Sequence, residues 1–221
     1  MNSMSLTEIL SIIGPETVNT LIMVIVSTVL GYVFGIPLGI ILTLTDERGL
    51  KPNKTIYFIL DFIVNVFRSI PFIILLVWIL PFTRAIVHTT LGVPGAIVPL
   101  TVSAIPFIAR MIEQSLKEVD PGVIEAAKSM GANTFQIVIH VLLVEARSSL
   151  VLGTTIVFAS IVGYAAMAGT VGAGGLGDVA IRYGYQRYIA SMMYASIIVT
   201  VIIVQLFQLV GNYLAKRVDK R

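Results

Sequence analysis

The chain of 221 residues has no cysteine, two histidines, one tryptophan and few charges. Without cysteine there are no disulfides, cysteine-ligated zinc sites, iron–sulfur clusters or thiol nucleophiles, and the redox compartment stays open. Only 12% of residues are charged, against roughly 25% in soluble domains. Together with 57% hydrophobic residues, this excludes an ordinary water-soluble domain. The net charge of +3 is too weak a basic surplus for a nucleic-acid surface. No His–Glu pair stands at metal-ligand spacing and no Walker A motif occurs, so the chain reads as non-catalytic, with no cofactor of its own.

What it has instead is long uncharged runs, and a spanning helix needs ~20 mainly apolar residues. Thr17 to Thr45 gives 29, Ala85 to Ala109 gives 25, Ser148 to Gly177 gives 30 and Tyr188 to Ala215 gives 28. Ser69 to Thr83 has only 15; extended back to Ile56 it becomes a span carrying Asp61, Asn65 and Arg68 on one helical face. The expectation is an all-α membrane protein, one transmembrane domain over 1–221 with five spans at about 17–44, 56–80, 90–110, 147–168 and 188–213, and a polar loop at about 111–146. The first run follows Glu8 and Glu16 without Lys or Arg and exceeds a signal-peptide core of ~7–15 residues, so it is expected to stay as a span.

Five spans put the termini on opposite sides. One face then carries Arg48, Lys51, Lys54, Arg110, Lys117, Lys128, Lys216, Arg217, Lys220 and Arg221, and the other only Arg84, Arg182 and Arg187. Ten against three makes the C-terminus cytoplasmic and the N-terminus external. His88 and His140 fall on opposite sides and cannot form one site.

The polar loop contains a short helix with clear punctuation. Asp120 is an N-cap, Pro121 suits the first turn and Gly131 supplies a left-handed stop. Asn133 or Thr134 can cap a second helix from Phe135. About nine residues make a marginal helix in water. It either lies on the membrane surface or is received by a cytoplasmic protein.

Glu125-Ala126-Ala127, with Lys128 next, then Gly131 and Val141-Leu-Leu143-Val144 resemble the EAA loop of ABC importer permeases. The family pattern is Glu-Ala-Ala, three residues, Gly, nine residues, then Ile-x-Leu-Pro; Val141 replaces Ile and Val144 stands where proline is usual. Arg68-Ser-Ile-Pro71 is similar to a segment of amino-acid permeases, and Gly169 to Tyr188 resembles the methionine importer permeases. The resemblance covers essentially the whole chain. It implies the type I importer permease fold, a multi-pass subunit of the cytoplasmic (inner) membrane, and methionine, probed as both L and D forms, as substrate. It also implies that Asp120, Pro121, Glu125, Ala126, Ala127, Lys128 and Gly131 form a coupling helix received by a separate ATPase. Two such ATP-binding cassette subunits would hold the ATP and magnesium, and an external binding protein would deliver substrate. Since five helices are few to enclose a solute path, a two-fold dimer is expected, with the path at its axis.

Gly172-Ala-Gly174-Gly-Leu-Gly177 matches the dinucleotide fingerprint by letter. A membrane helix precedes it instead of a strand, and no acid follows Asp178 until Asp219, so nucleotide binding is rejected. The loop either closes the helix ends tightly or also contacts the binding protein through Asp178, Arg182 and Arg187. Ser160, Tyr164 and Met167 in the fourth span are candidates to line or gate a path, or simply fill helix contacts. The competing function is an ion-coupled amino-acid transporter acting without an ATPase. It would need mid-membrane charges and commonly repeats, and the four uncharged spans offer no acid.

Overall fold

A computed structural model describes residues 5–219. Eleven α-helical segments follow in chain order: α1 Leu6–Thr45, α2 Lys54–Ser69, α3 Phe72–Trp78, α4 Leu80–Val87, α5 Gly92–Lys117, α6 Pro121–Ser129, α7 Thr134–Gln136, α8 Leu143–Glu145, α9 Arg147–Gly169, α10 Gly175–Val179 and α11 Ala190–Val218. Two π-helical stretches, Ile137–Leu142 and Ala180–Tyr185, lie between α7 and α8 and after α10. Helices α1, α5, α9 and α11 are each long and apolar enough to cross a membrane.

The second run is not the single helix expected over 56–80. It breaks at Ile70–Pro71, where proline ends the hydrogen-bond ladder, and α2 and α3 meet at 103°. Taken as one broken span, the bent pair makes a fifth. Helix α1 begins eleven residues before Thr17. Ser5 and Glu8 form a reciprocal capping box, and the helix carries Pro15 and Glu16 within it. Helix α5 runs past 110 to Lys117.

Helix α5 is the centre of the bundle. Along α1, Gly31, Gly35 and Gly39 recur every fourth residue on the seam with α5; a Cβ there would lie 2.7–2.8 Å from Ala104, Ile108 and Ala109 or Ile112. Small residues let the two helices approach closely, which in lipid replaces the hydrophobic drive available in water. Leu100, Ala104 and Ile108 are fully buried beside Met23 and Val24, and Val157, Ile161 and Ala165 of α9 close the core. Phe158 of α9 stacks on Phe207 of α11 at 3.6 Å. Tyr32 and Thr154 share a hydrogen bond of 2.7 Å between α1 and α9.

The ends of the bundle differ. The start of α1, at Ile13, packs on Leu176, Val179 and Met192 at a glycine-rich end. The last turns of α11 meet α9 at the end that carries α6, where Ser148 Oγ donates to the Ala215 carbonyl. The described termini therefore lie at opposite ends, and the basic residues Arg48, Lys51, Lys54, Arg110, Lys117 and Lys128 gather at the α6 end.

Candidate functional site

Helix α6 has the boundaries its residues specify. The Asp120 carboxylate accepts the Gly122 N–H at 2.6 Å, satisfying one orphan donor of the first turn, and Pro121 occupies N1. At the other end Gly131 adopts φ +81° with open space around it, and the Gly131 and Ala132 N–H groups cap the Lys128 and Ala127 carbonyls. The two faces differ. Ala127 is buried and Ile124 partly buried against Val119, Ile137 and Leu142, whereas Val123, Glu125, Ala126, Lys128 and Met130 are exposed. Asn133, not Thr134, caps the next segment, through a capping box with Gln136, and that helix starts at Thr134. Helical backbone continues through Val144 to a turn at Ala146, so the break moves two residues beyond the position where proline is usual.

Met130, 81% exposed, and Phe135, 73% exposed, extend the apolar part of this outer face. An exposed apolar patch rimmed by Glu125 and Lys128 is the form of a docking surface. A cavity of about 580 Å³ separates α6 from the turn after α1, lined among others by Asp46, Arg48, Leu50, Lys117, Ile124 and Lys128.

Behind α6 lies a polar network that the sequence reading did not assemble. Glu113, 1% exposed, is bonded by Arg110 Nη1 at 2.7 Å, Lys117 Nζ at 2.8 Å and the Tyr57 hydroxyl at 3.1 Å. Arg110 also reaches Asp61 and, at 3.0 Å, Asn65 of α2, and Asn65 in turn donates to Asp61 at 2.9 Å. Lys117 reaches Asp46, which caps the end of α1. Burial pushes the Asp46 carboxyl up, but the Arg48 N–H and the Lys117 ammonium outweigh it and hold it below the usual carboxylate range. Its contribution is therefore present above the unfolded value of about 4 and is lost as pH falls through the lowered pKa. Arg68, expected on the same stripe, stays exposed outside the network.

The glycine-rich end is built from backbone. Gly172, Gly174 and Gly175 take positive φ, and Gly177 sits against the Ala166 backbone so closely that any Cβ would collide. The Gly175 N–H donates to Glu16 at 2.6 Å and the Leu176 N–H to Thr20 at 2.8 Å. The letters of a phosphate loop thus hold a carboxylate of the chain itself. Asp178 pairs with Arg182 at 2.6 Å, and the guanidiniums of Arg182 and Arg187 lie 5.1 and 4.7 Å from the Tyr183 ring. Tyr188, 87% exposed, holds φ +57° beside them.

The family model for "binding-protein-dependent transport system inner membrane component" matches residues 35–221. The chain belongs to that family. It is thus a non-catalytic membrane permease subunit. A probable D-methionine transport system permease protein MetI of Vibrio cholerae is 48% identical over 205 residues, covering 93% of this chain and 91% of the relative. The D-methionine transport system permease protein MetI of Escherichia coli K12 is 53% identical over 150 residues, 68% and 69% of the two chains. A crystal structure of the MetNI methionine ABC transporter in inward-facing conformations matches with a TM-score of 0.95 at 46% identity, covering 98% of this chain and all of that one. An amino acid ABC transporter with histidines, 16% identical with a TM-score of 0.80, shares the fold.

In the permease, Leu152, Ile156, Ser160, Gly163 and Met167 mark one face of α9 at spacings of three and four; among the described residues little covers that face, with Ser160 half-buried and the other four exposed. Met167 is 47% exposed. The Ser160 hydroxyl donates to the Ile156 carbonyl. Tyr164 lies on the flank of this face, stacked on Phe72 of α3 at 4.8 Å. Spacing along the helix could not show that Tyr164 is tied to the broken span. The network behind α6 had a partial signal in Arg110, Glu113 and Lys117 at i, i+3 and i+7; orientation uses only the two basic residues and leaves Glu113 out.

Proposed function

We propose that this chain is the membrane subunit of an ATP-driven importer of methionine, taking the L and D forms, in the cytoplasmic (inner) membrane. The observation that carries this reading is the likeness to the MetNI permease over 98% of the chain at 46% identity. Relatives named as D-methionine permeases support the substrate. Two copies form the path, with the exposed α9 face and Ser160, Tyr164 and Met167 along it. The α6 end is cytoplasmic and the N-terminus external, as the segregation of basic residues requires.

Two ATP-binding cassette subunits, holding ATP and magnesium, receive α6 through Val123, Ala126 and Met130, with Asp120, Pro121 and Gly131 fixing its ends, Glu125 and Lys128 at its rim and Ala127 anchoring it inward. An external binding protein docks at the opposite end, where Asp178, Arg182 and Arg187 lie. Nucleotide-driven closure of the cassettes draws the two α6 helices together, the spans tilt from inward-open to outward-open, and substrate enters from the binding protein.

Affinity purification of the permease with its co-expressed ATPase tests the arrangement. A stoichiometric complex is expected from the wild type. Glu125→Lys, which reverses a rim charge, and Gly131→Trp, which forces a side chain into φ +81°, should dissociate or uncouple it. Full complex and full uptake in both variants would overturn the α6 assignment.

A further inference from the structure

Helix α2 has little apolar hold on the bundle. Only Val64 of its residues is buried, in a small cluster with Leu42 and Ala109, while Phe58, Ile59, Phe62, Ile63 and Val66 are exposed. Its position against α5 is set instead by Asp61 and Asn65 on Arg110 and by Tyr57 on Glu113. The same Glu113 binds Lys117, the last residue of α5, three positions before the Asp120 cap of α6. Lys117 also holds Asp46 at the end of α1. A buried carboxyl group is costly to leave without partners, and Glu113 has three, from two helices. Direct contact between α6 and the α1–α2 turn is interrupted by the cavity described above.

From the far end of α2 the chain turns through 103° into α3, whose first residue, Phe72, stacks on Tyr164 one turn from Met167 on α9. A continuous set of contacts therefore runs from the base of α6 through Lys117, Glu113 and Arg110 to α2, around the Pro71 break, and onto the helix that carries the candidate path residues.

We propose that Glu113 is a positioning residue for transport: by clamping Arg110, Lys117 and Tyr57 it makes α2 move with α5, so that displacement of α6 reaches the broken span and the α9 face. This rests on the coupling role of α6 given above. Glu113 touches neither ATPase nor substrate; it acts through the helices it joins.

The test uses the complete transporter, permease with ATPase and binding protein, in proteoliposomes. Methionine uptake and ATP hydrolysis are measured together. Wild type should take up substrate in proportion to hydrolysis; if it does not, the coupling reading itself fails, before any variant is compared. With wild type coupled, Glu113→Gln should assemble and hydrolyse ATP while uptake per ATP falls at least about tenfold. Because the chain has no native cysteine, Val64→Cys and Ala109→Cys, which replace neighbours in one cluster, can be cross-linked cleanly between α2 and α5. In the Glu113→Gln background the oxidised cross-link should restore most of the lost coupling, and reduction should remove it again. Should Glu113→Gln fail to assemble, Tyr57→Phe, which removes the α2 hydroxyl from Glu113 and leaves Arg110 and Lys117 on it, carries the same comparison. Wild-type uptake per ATP in the assembling variant, or a defect that cross-linking leaves unchanged, would overturn the proposal.

Discussion

At the α6 end, Asp46, Tyr57, Asp61, Asn65, Arg110, Glu113 and Lys117 join α1, α2 and α5 through side chains, whereas at the glycine-rich end backbone groups do most of the joining, with Glu16 and Thr20 as side-chain acceptors for backbone N–H groups. There Gly177 rests on Ala166, the Gly92 N–H donates to the Gly172 carbonyl and the Gly175 N–H to Glu16. Ion pairs between long side chains can hold α1, α2 and α5 together while that end shifts as a unit. Backbones in contact have no slack, since the groups that touch are fixed to the chain itself. On the coupling proposed for α6, the difference suits an end that moves with a motor and an end that holds the bundle closed while it does.

Substitutions at each end sharpen the contrast. The largest expected loss is from Arg110→Met, which strands the buried Glu113 with fewer partners and should destabilise the bundle by roughly 3–5 kcal/mol. Thermal unfolding of the detergent-solubilised protein measures it, and a change below about 1 kcal/mol would show that the network is dispensable to the fold. Gly177→Ala should come next. Its Cβ meets the fixed Ala166 backbone, so a single methyl costs about 1–3 kcal/mol by overpacking; an unshifted melting temperature would mean that α10 yields freely. Asp120→Ala removes the cap on Gly122 and should cost about 1 kcal/mol, confined to α6. Hydrogen exchange should then quicken in 121–129 and not in α5. The smallest effect belongs to Arg182→Gln, whose i, i+4 pair joins an exposed guanidinium to the half-buried Asp178 and contributes at most about 1 kcal/mol. Its fold should be unchanged, so any fall in uptake at limiting binding protein reports contact with that partner and not stability.

Much of this was legible where the signal is local. Asp120, Pro121 and Gly131 delimit α6 because a cap, a first-turn proline and a left-handed glycine act on their own neighbours. Four spans were legible as uncharged runs. The expected span at 147–168 matches α9, but charge counting cut short the start of α1 and the end of α5 for one physical reason: it treats every charge as a boundary, and there the charges are satisfied within the bundle. Glu16 sits inside α1 because Gly175 supplies its donor, and α5 continues past Arg110 because Asp61, Asn65 and Glu113 receive that guanidinium. Those partners lie 49 and 71 residues apart in the Arg110–Asp61 and Lys117–Asp46 pairs, beyond any periodicity. The break at Pro71 was visible as a proline, but its 103° turn depends on how α3 packs against α5 and α9.

The most direct measurement is uptake of labelled D- and L-methionine by proteoliposomes that contain the permease, its ATPase and the binding protein, with ATP or a non-hydrolysable analogue inside and with an ionophore present. We expect uptake that requires all three proteins and hydrolysable ATP and that survives collapse of the ion gradients. Uptake by the permease alone, independent of ATP and abolished by the ionophore, would contradict the central claim and restore the ion-coupled transporter.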